Sequence, residues 1–457
     1  MGYLFFLALI AALGGLLFGY DTAVISGTID QVNTQFHLNV VQQGWYVSSA
    51  LVGSIAGVAV AGWLSDRFGR KPIMFLSAFL FTTSALGCAV ATNFSMLVVF
   101  RIIGGAGIGI ISIVAPIYIS EIAIAQYRGL MVSLYQLAIT LGFLVAYAMN
   151  YGLLLISQQG AIETDWLRFI FVDEVWRGML GMETLPALFF IIILALPESP
   201  RWLVVKGRLT EAETIYQRIY VAREAIAKQI AQTQETIAKS VETSWRSLLQ
   251  PGLLKAIILG VCIAILGQFM GVNAVLYYGP SIFTNAGMDD PLLCQVLVGA
   301  VNMLTTIIAL FIIDRIGRKK LIYYGVSGMI LSLILIALYF QFHDQWQLSS
   351  YMMLAFFLFY VFCCAISISA VVFVLLSEMY PNHVRGIAMS IAGLALWVGT
   401  FLIGQLTPWF LSAFTPAGTF LFFALMCLPY LFIIWRFIPE TARMSLEDIE
   451  RYWRENA

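Results

Sequence analysis

Three ionisable side chains interrupt long apolar stretches of this 457-residue sequence: Asp21, Arg101 and Glu183. Charged groups are costly in such surroundings and usually face one another or a water-filled cavity. An arginine next to Asp21 would keep that carboxylate ionised, and loss of the contact in an apolar environment would favour its protonated form. We therefore expect the three residues to form one site that takes up and releases a proton. A permanent structural ion pair is the alternative.

A second group of charged residues occurs twice, in the same order, in the first and second halves of the chain. Each copy has an Asp-Arg-x-Gly-Arg-Lys motif, then a glutamate with Arg-Gly downstream, then a Pro-Glu pair followed by an arginine. Three motifs recurring in order indicate an internal repeat, and two like halves suggest rocking around a central site. The copies are 66–71 and 314–319, 121–129 and 378–386, and 197–201 and 439–443.

The repeated charges are expected to act as latches at one end of each half. A carboxylate and an arginine on neighbouring helix ends can form a bidentate pair. Partly exposed pairs contribute only ~1 kcal/mol each, which suits contacts that must open. The alternative is that the charges only set topology, but that role needs no acidic partners. The expected latch residues are Asp66, Arg70, Glu121, Arg128, Glu198 and Arg201 in one half and Asp314, Arg318, Glu378, Arg385 and Glu440 in the other.

The composition determines which elements must carry these side chains. Apolar residues make up 61% of the chain and charged residues 11%, against about half and about a quarter in an ordinary soluble domain. Basic and acidic residues number 25 each, so a nucleic-acid-binding surface is not expected. The composition therefore predicts a protein that crosses the lipid bilayer many times.

Twelve apolar runs are long enough to span a membrane, since a spanning helix needs about 20 residues. They are continuous rather than alternating, which favours helices over barrel strands. We therefore predict an all-α integral membrane protein with twelve transmembrane helices in two pseudo-symmetric six-helix halves. The runs are 4–28, 45–64, 73–92, 96–119, 130–153, 178–196, 254–283, 292–313, 320–342, 351–377, 387–411 and 417–438. The predicted parts are the halves 1–196 and 254–438, a helical cytoplasmic linker 197–253 and a cytoplasmic tail 439–457.

The basic residues are distributed unevenly among the connections between these runs. All except Arg101, Arg168 and Arg177 fall on the side that also holds both termini. Because cytoplasmic connections carry the excess of lysine and arginine, we expect both termini in the cytoplasm. The short termini and loops favour a multi-pass protein of a bacterial inner membrane.

The sequence contains no pattern typical of a metal site or an enzyme. The six cysteines lie in or beside apolar runs without a Cys-x-x-Cys pair, and His37, His343 and His383 are far apart. The glycines of 104–109 lie inside a spanning run with no strand before them. Close helix packing therefore explains them better than a phosphate-binding loop. We expect neither a cofactor nor a metal ion, and no catalytic activity.

Several motifs resemble those of the sugar porters of the major facilitator superfamily, over the full length of the chain. The chain is most similar to the bacterial proton-coupled sugar symporters and is related to facilitative glucose transporters. The Asp-Arg-x-Gly-Arg motif is typical of the superfamily, whereas Pro-Glu-Ser-Pro-Arg together with Gln…Asn…Tyr-Tyr is specific to sugar porters. The matching segments are 19–21, 66–70, 101–105, 116–121, 197–202, 268–273, 277–278 and 439–441.

The resemblance implies transport by alternating access, with Asp21 and Arg101 coupling the proton and a carboxylate at Glu183. A sugar presents hydroxyl groups and apolar C–H faces, which suit neutral amides and an aromatic wall. The expected substrates are thus a monosaccharide or polyol and a proton, carried by a monomer in the bilayer. The residues that match the family's substrate contacts are Phe18, Gln136, Gln268, Asn273, Tyr277, Asn302 and Trp397.

Some family positions differ in the second half of this chain. The usual Gln-Gln pair is Gly267-Gln268, and the Gly-Pro-x-x-Trp motif of helix 10 is replaced by residues 369–373. A family aromatic position matches Ile368, and a polar one matches Leu396. We expect a more apolar pocket wall there, and a stiffer helix 10 because its proline is missing.

Two other functions stay open at the level of sequence. A proton-independent sugar uniporter is one, although the retained Asp21 argues against it. A sugar sensor that binds without transporting is the other, although long cytoplasmic extensions would be expected of a sensor. The residue types do not identify which sugar is bound.

Overall fold

The computed structural model describes residues 2–160, 164–220, 223–240, 251–380, 384–441 and 446–455. Within these residues the chain is built from helices and turns, without a β-strand. Twelve helical spans are long and apolar enough to cross a membrane. The predicted all-α, twelve-helix architecture is therefore confirmed.

The spans, numbered 1 to 12 in chain order, agree with the predicted runs to within a few residues. Each connection between consecutive spans begins where charged or turn-forming residues end the apolar stretch. The spans are Gly2–Gly27, Val40–Phe68, Arg70–Ala89, Phe94–Ile122, Arg128–Gln159, Val175–Ala195, Gly252–Asn285, Pro291–Ile313, Arg318–Trp346, Ser350–Met379, Arg385–Ala413 and Thr415–Phe437.

Span 7 is interrupted between two α-helices, Pro251–Phe269 and Val272–Asn285. Gly271, in the gap, has a φ of 93°, a left-handed conformation that glycine adopts without steric cost. The break leaves the buried carbonyl of Met270 without a partner in its own helix. This carbonyl accepts a hydrogen bond of 2.8 Å from the Tyr360 hydroxyl. This backbone group is therefore satisfied, as the bilayer interior requires.

Span 10 is also irregular, although it lacks the proline of the family motif. The α-helix Ser350–Cys364 leads into a π-helical turn, Ala365–Ser369, before Ala370–Met379 resumes the α-helix. Single π-helical turns inside α-helices disturb the regular hydrogen-bond ladder and are a recognised cause of kinks. Span 10 is therefore not a regular α-helix despite the loss of the proline, and its expected stiffening stays a prediction.

Spans 2 and 4 approach closely through glycines. A Cβ atom added at Gly53 would collide with the carbonyl oxygen of Ile102, and one added at Gly105 with that of Ala50. Small residues permit this backbone-to-backbone approach between membrane helices. The packing interpretation of the glycines in 104–109 is therefore supported over the phosphate-loop interpretation.

The chain divides into two compact units. The first unit comprises Met1–Val24, Ser49–Met149 and Leu153–Thr243, and the second comprises Ile25–Ser48, Asn150–Gly152 and Ser244–Ala457. The described part of the linker forms three helices in the first unit, Pro200–Val205, Leu209–Ile219 and Arg223–Ser240. Trp202, Leu203, Ala212, Tyr216 and Ile226 form their common core. The linker helices therefore have a hydrophobic core of their own.

The segment predicted as a cytoplasmic tail contains a helix, Leu446–Glu455. Ile449 and Trp453 are buried, with 1% and 2% of their surface exposed. The Trp453 indole N–H donates to the carbonyl of Met379 at 2.8 Å, and the Tyr452 hydroxyl donates to that of Phe437 at 3.1 Å. The four-residue spacing of Ile449 and Trp453 was the available signal for a helix with one buried face.

Two glycines of span 2 provide a matched stability test. We expect Gly53→Ala to lower the melting temperature, because the new methyl group meets the carbonyl oxygen of Ile102 and overpacking costs about 1–3 kcal/mol. Gly62→Ala should be neutral or stabilising, since a Cβ there has open space and alanine is the better helix former. Thermal unfolding of the two purified variants checks this. Equal melting temperatures would contradict the packing argument.

Candidate functional site

The three intramembrane charges meet inside the first unit. Arg101 Nη1 donates to Asp21 Oδ1 at 3.0 Å, and the two side chains are 3% and 1% exposed. Glu183 is equally buried and close enough to interact electrostatically with both. Spans 1, 4 and 6 each contribute one residue. The sequence prediction that these residues share a site therefore agrees with the geometry.

A glycine, Gly104, lies beside the Asp21 carboxylate of this cluster. A Cβ atom added at Gly104 would lie 3.6 Å from Asp21 Oδ1 and would collide with the Ser84 hydroxyl. Asp21 Oδ2 and Glu183 Oε1 are both buried without a hydrogen-bond partner among the described residues. Two carboxyl groups and one guanidinium give a buried net negative charge unless one carboxyl group is protonated. Adjacent carboxyl groups commonly share a proton for this reason.

A charged network closes one end of the first unit, which we call the charged end. Arg70 binds Glu121 through two bonds, from Nε to Oε2 at 2.9 Å and from Nη2 to Oε1 at 2.8 Å. Its third nitrogen, Nη1, donates to Asp66 Oδ1 at 2.9 Å. The Ser199 hydroxyl donates to Glu121 Oε2 at 2.6 Å. The arginine therefore joins spans 2, 3 and 4, and the serine attaches the start of the linker.

Glu198 caps the first turn of span 3. Its Oε1 atom accepts from the backbone N–H groups of Arg70 at 2.9 Å and Lys71 at 3.3 Å, the favoured place for a carboxylate on a helix. Gly69 precedes this turn with a φ of 104°, and a Cβ there would collide with the Glu198 carboxylate. Burial raises the pKa of Glu198, and the N–H donors oppose that rise by stabilising its charged form.

The second unit repeats this network with its own residues. Arg318 binds Glu378 from Nε to Oε2 at 3.1 Å and from Nη2 to Oε1 at 2.8 Å. Glu440 accepts from the backbone N–H groups of Arg318 and Lys319, both at 3.0 Å. Thr441, in the position of Ser199, donates to Glu378 Oε2 at 2.6 Å. The internal repeat read from the sequence thus recurs in side-chain geometry.

Three of the predicted latch arginines lie outside these networks. Among the described residues, neither Arg128 nor Arg201 forms an ion pair, whereas Arg385 donates to the carbonyl oxygen of Tyr380 at 3.2 and 3.3 Å. The expected latch role of Arg128, Arg201 and Arg385 therefore stays a prediction. Arg70 and Ser199 use both carboxylate oxygens of Glu121.

The Asp314 side chain lies outside the described residues. Its expected role in the second network therefore stays a prediction.

Predicted substrate amides of the second unit meet at the break in span 7. Asn273 Nδ2 donates to Gln268 Oε1 at 2.6 Å, and the Thr400 hydroxyl donates to the same oxygen at 3.1 Å. The irregular backbone at Gly271 explains how two residues five positions apart come into direct contact. Thr400, on span 11, was missed by the sequence analysis, and its spacing from Trp397 on one helix face was the only signal.

The other predicted substrate contacts occupy several spans. In the second unit Tyr277, Asn302 and Trp397 are 3%, 9% and 9% exposed. In the first unit, Phe18 and Gln136 are half-buried on spans 1 and 5. These spans pack closely nearby through the glycines 19 and 142.

The changed family positions of the second unit are neighbours. A Cβ atom at Gly267 would lie 3.9 Å from Ile368 and 3.8 Å from the Tyr430 ring. Ile368 belongs to the π-helical turn of span 10. Position 267, where the family carries a second glutamine, is therefore bordered by an aliphatic and an aromatic side chain.

The sequence of this chain is similar to those of sugar transporters over nearly its whole length. The family profile described as "Sugar (and other) transporter" matches residues 7–453. An arabinose-proton symporter of Bacillus subtilis is 38% identical over 99% of this chain and 96% of its own length. A D-xylose-proton symporter of Escherichia coli is 35% identical over the same shares.

Solved structures give the same assignment. The inward-open xylose transporter XylE from E. coli matches with a TM-score of 0.85 and 33% identity, over 99% of this chain and 100% of that one. The proton:xylose symporter XylE bound to 6-bromo-6-deoxy-D-glucose matches with a TM-score of 0.80 and 34% identity, over 99% of both chains. With its twelve spans, duplicated networks and full-length matches, this chain belongs to the sugar transporter family of the major facilitator superfamily.

Proposed function

We propose that this multi-pass membrane protein is a secondary active transporter that carries a monosaccharide or polyol together with a proton by alternating access. Family membership and the named proton symporters among its relatives support sugar transport. The observation that carries the proton is the buried Asp21–Arg101 pair with Glu183 beside it. A carrier of neutral sugar alone has no need for a buried net charge of this kind.

The proton is proposed to act through the ion pair. While Asp21 is ionised, Arg101 holds it at 3.0 Å, and spans 1 and 4 are joined by a charge-assisted bond. Protonation of Asp21 removes that attraction and also removes the excess charge shared with Glu183. The first unit therefore has two arrangements of spans 1, 4 and 6 whose balance the proton biases, which is the requirement for coupling.

The sugar is proposed to bind through the amide group of span 7. Gln268 Oε1 accepts two hydrogen bonds, from Asn273 and Thr400. A sugar hydroxyl can donate its single proton to Gln268 Oε1 in place of either donor, and its oxygen can accept a hydrogen bond from the donor that it displaces. Phe18, Gln136, Tyr277, Asn302 and Trp397 are proposed as further contacts.

The charged ends are proposed to face the cytoplasm, with both termini on that side, because they carry the basic residues of the connections. The halves 1–196 and 254–438 would move as transport domains within a monomer in the bilayer, with the linker 197–253 and the tail 439–457 on the cytoplasmic side. The duplicated Arg70 and Arg318 networks would keep the ends of each half together during that movement.

Uptake of labelled sugars into proteoliposomes tests the function. The panel is arabinose, xylose, glucose, galactose, fructose and myo-inositol, each measured with and without an inward proton gradient. We expect one sugar to accumulate only with the gradient. Gradient-independent equilibration would instead indicate a uniporter, and saturable binding without uptake of any sugar would indicate a sensor.

Asp21→Asn should separate accumulation from exchange. The amide removes the titratable group and the charge that Arg101 holds, so gradient-driven accumulation should fall to background while counterflow exchange continues. Asp165→Asn, at an exposed carboxylate, is the matched control and should behave as the wild type. Full accumulation by Asp21→Asn would refute the coupling role.

Asn273→Ala should weaken sugar binding selectively. The variant removes a donor to Gln268 and a proposed sugar ligand, and we expect at least a tenfold rise in KM with the gradient dependence retained. Gln341→Ala, at an exposed amide of span 9, serves as control. An unchanged KM would exclude Asn273 from the substrate site.

Arg70→Lys should destabilise the charged end, because an ammonium group cannot reproduce the two-bond contact with Glu121. Losing charge-assisted bonds at a buried site costs about 1.5–3 kcal/mol, so the melting temperature should fall. Arg208→Lys provides the control, since that arginine forms a solvent-exposed pair with Glu211 at 2.7 Å. Equal melting temperatures of the two variants would contradict a structural role for the network.

A further inference from the structure

A polar cavity of about 360 Å³ lies at the charged end of the first unit, apart from the proton and sugar residues. Its volume falls in the range of roughly 300–1,000 Å³ typical of small-molecule sites. The end of span 4, the start of span 5 and two linker helices form its walls. The lining residues are Ser120, Glu121, Arg128, Arg201, Gln229, Gln232, Thr233 and Glu235.

Two arginines dominate the chemistry of this cavity. Arg128 and Arg201 line it, and among the described residues neither guanidinium forms an ion pair. Two guanidinium groups around one cavity provide ten N–H donors in planar forks.

The carboxylates at the cavity do not cancel this positive charge. Arg70 forms two bonds to Glu121 and one to Asp66, so it neutralises part of the Glu121 charge, and Ser199 adds a third bond to Glu121. Glu235 is the other acidic lining residue. Once this partial neutralisation is counted, the charge of the two arginines exceeds that of the two glutamates, and the amides of Gln229 and Gln232 line the same cavity. The cavity therefore has the charge and the donors for an anion.

We propose that this cavity, which we call the arginine cavity, binds a phosphate monoester, with Arg128 and Arg201 holding the phosphate group. Arginine forks match phosphate oxygens through paired hydrogen bonds. The cavity volume exceeds the space that a phosphate group alone fills, so the rest of a small phosphorylated molecule fits beside it. Such a ligand would tie the linker helix Arg223–Ser240 to the start of span 5.

Isothermal titration of the purified full-length protein with glucose 6-phosphate tests this site. We expect saturable binding and a rise in melting temperature with ligand concentration, since a ligand that binds only the folded state stabilises it. Arg128→Gln and Arg201→Gln should each weaken binding at least tenfold. Arg208→Gln, at an exposed linker arginine paired with Glu211, should bind as the wild type.

Competition separates this site from the sugar site. A saturating concentration of the transported sugar, and the Asn273→Ala variant, should leave glucose 6-phosphate binding unchanged. Binding that the free sugar displaces, or that survives both Arg128→Gln and Arg201→Gln, would overturn the proposal, as would the absence of saturable binding. These outcomes do not depend on whether the protein couples sugar to protons.

Nanodiscs identify the source of the phosphate group. In phosphatidylcholine, glucose 6-phosphate should bind as in detergent. If added phosphatidic acid, whose headgroup is a phosphate monoester, weakens that binding in the wild type, a lipid headgroup occupies the arginine cavity; if it does not, the ligand is a soluble phosphate monoester. Either result supports the site, provided that Arg201→Gln abolishes the effect or the binding.

Discussion

The cost of an unpaired charge in a medium without water determines where this chain carries its ionisable residues. Inside the spans, the described charges are concentrated at Asp21, Arg101 and Glu183, and one ion pair accounts for two of them. Glu183 adds a second carboxyl group to the buried site, so the net charge of the site depends on whether one carboxyl group is protonated. A static structural pair would be complete without Glu183, so its presence favours a site that titrates over one that only holds spans together.

At the charged ends, networks of several hydrogen bonds around each arginine offset the same cost. Arg70 contacts two carboxylates and a backbone carbonyl, and Glu198 collects backbone N–H groups from the first turn of span 3. Arg318 and Glu440 reproduce these contacts in the second unit. The networks lie within one unit each and join neighbouring spans there. Their expected opening as latches during transport stays a prediction.

Much of this could be predicted from sequence, because hydrophobic length and repeated motifs are properties of short segments. The twelve spans and the Arg70–Glu121 contact followed from them. The positions of Arg128 and Arg201 did not, because the pattern does not tell which arginine takes the two oxygens of Glu121. The buried face of the helix around Trp453 was also missed, since ten residues with several charges resemble a solvated tail.

The irregular backbone of the second unit was beyond prediction for a different reason: it depends on contacts between spans. The break at Gly271 is tolerable because Tyr360 supplies a donor to the Met270 carbonyl from span 10. The π-helical turn of span 10 presents Ile368 towards Gly267, just before that break. Two irregular segments therefore meet beside Gln268, at the positions where this chain departs from its family. Gly267 lies in the α-helix before the break and Ile368 in the π-helical turn, and the two positions face each other beside Gln268. Substrate preference in this protein is therefore expected to depend on the pair Gly267 and Ile368 together rather than on either residue alone.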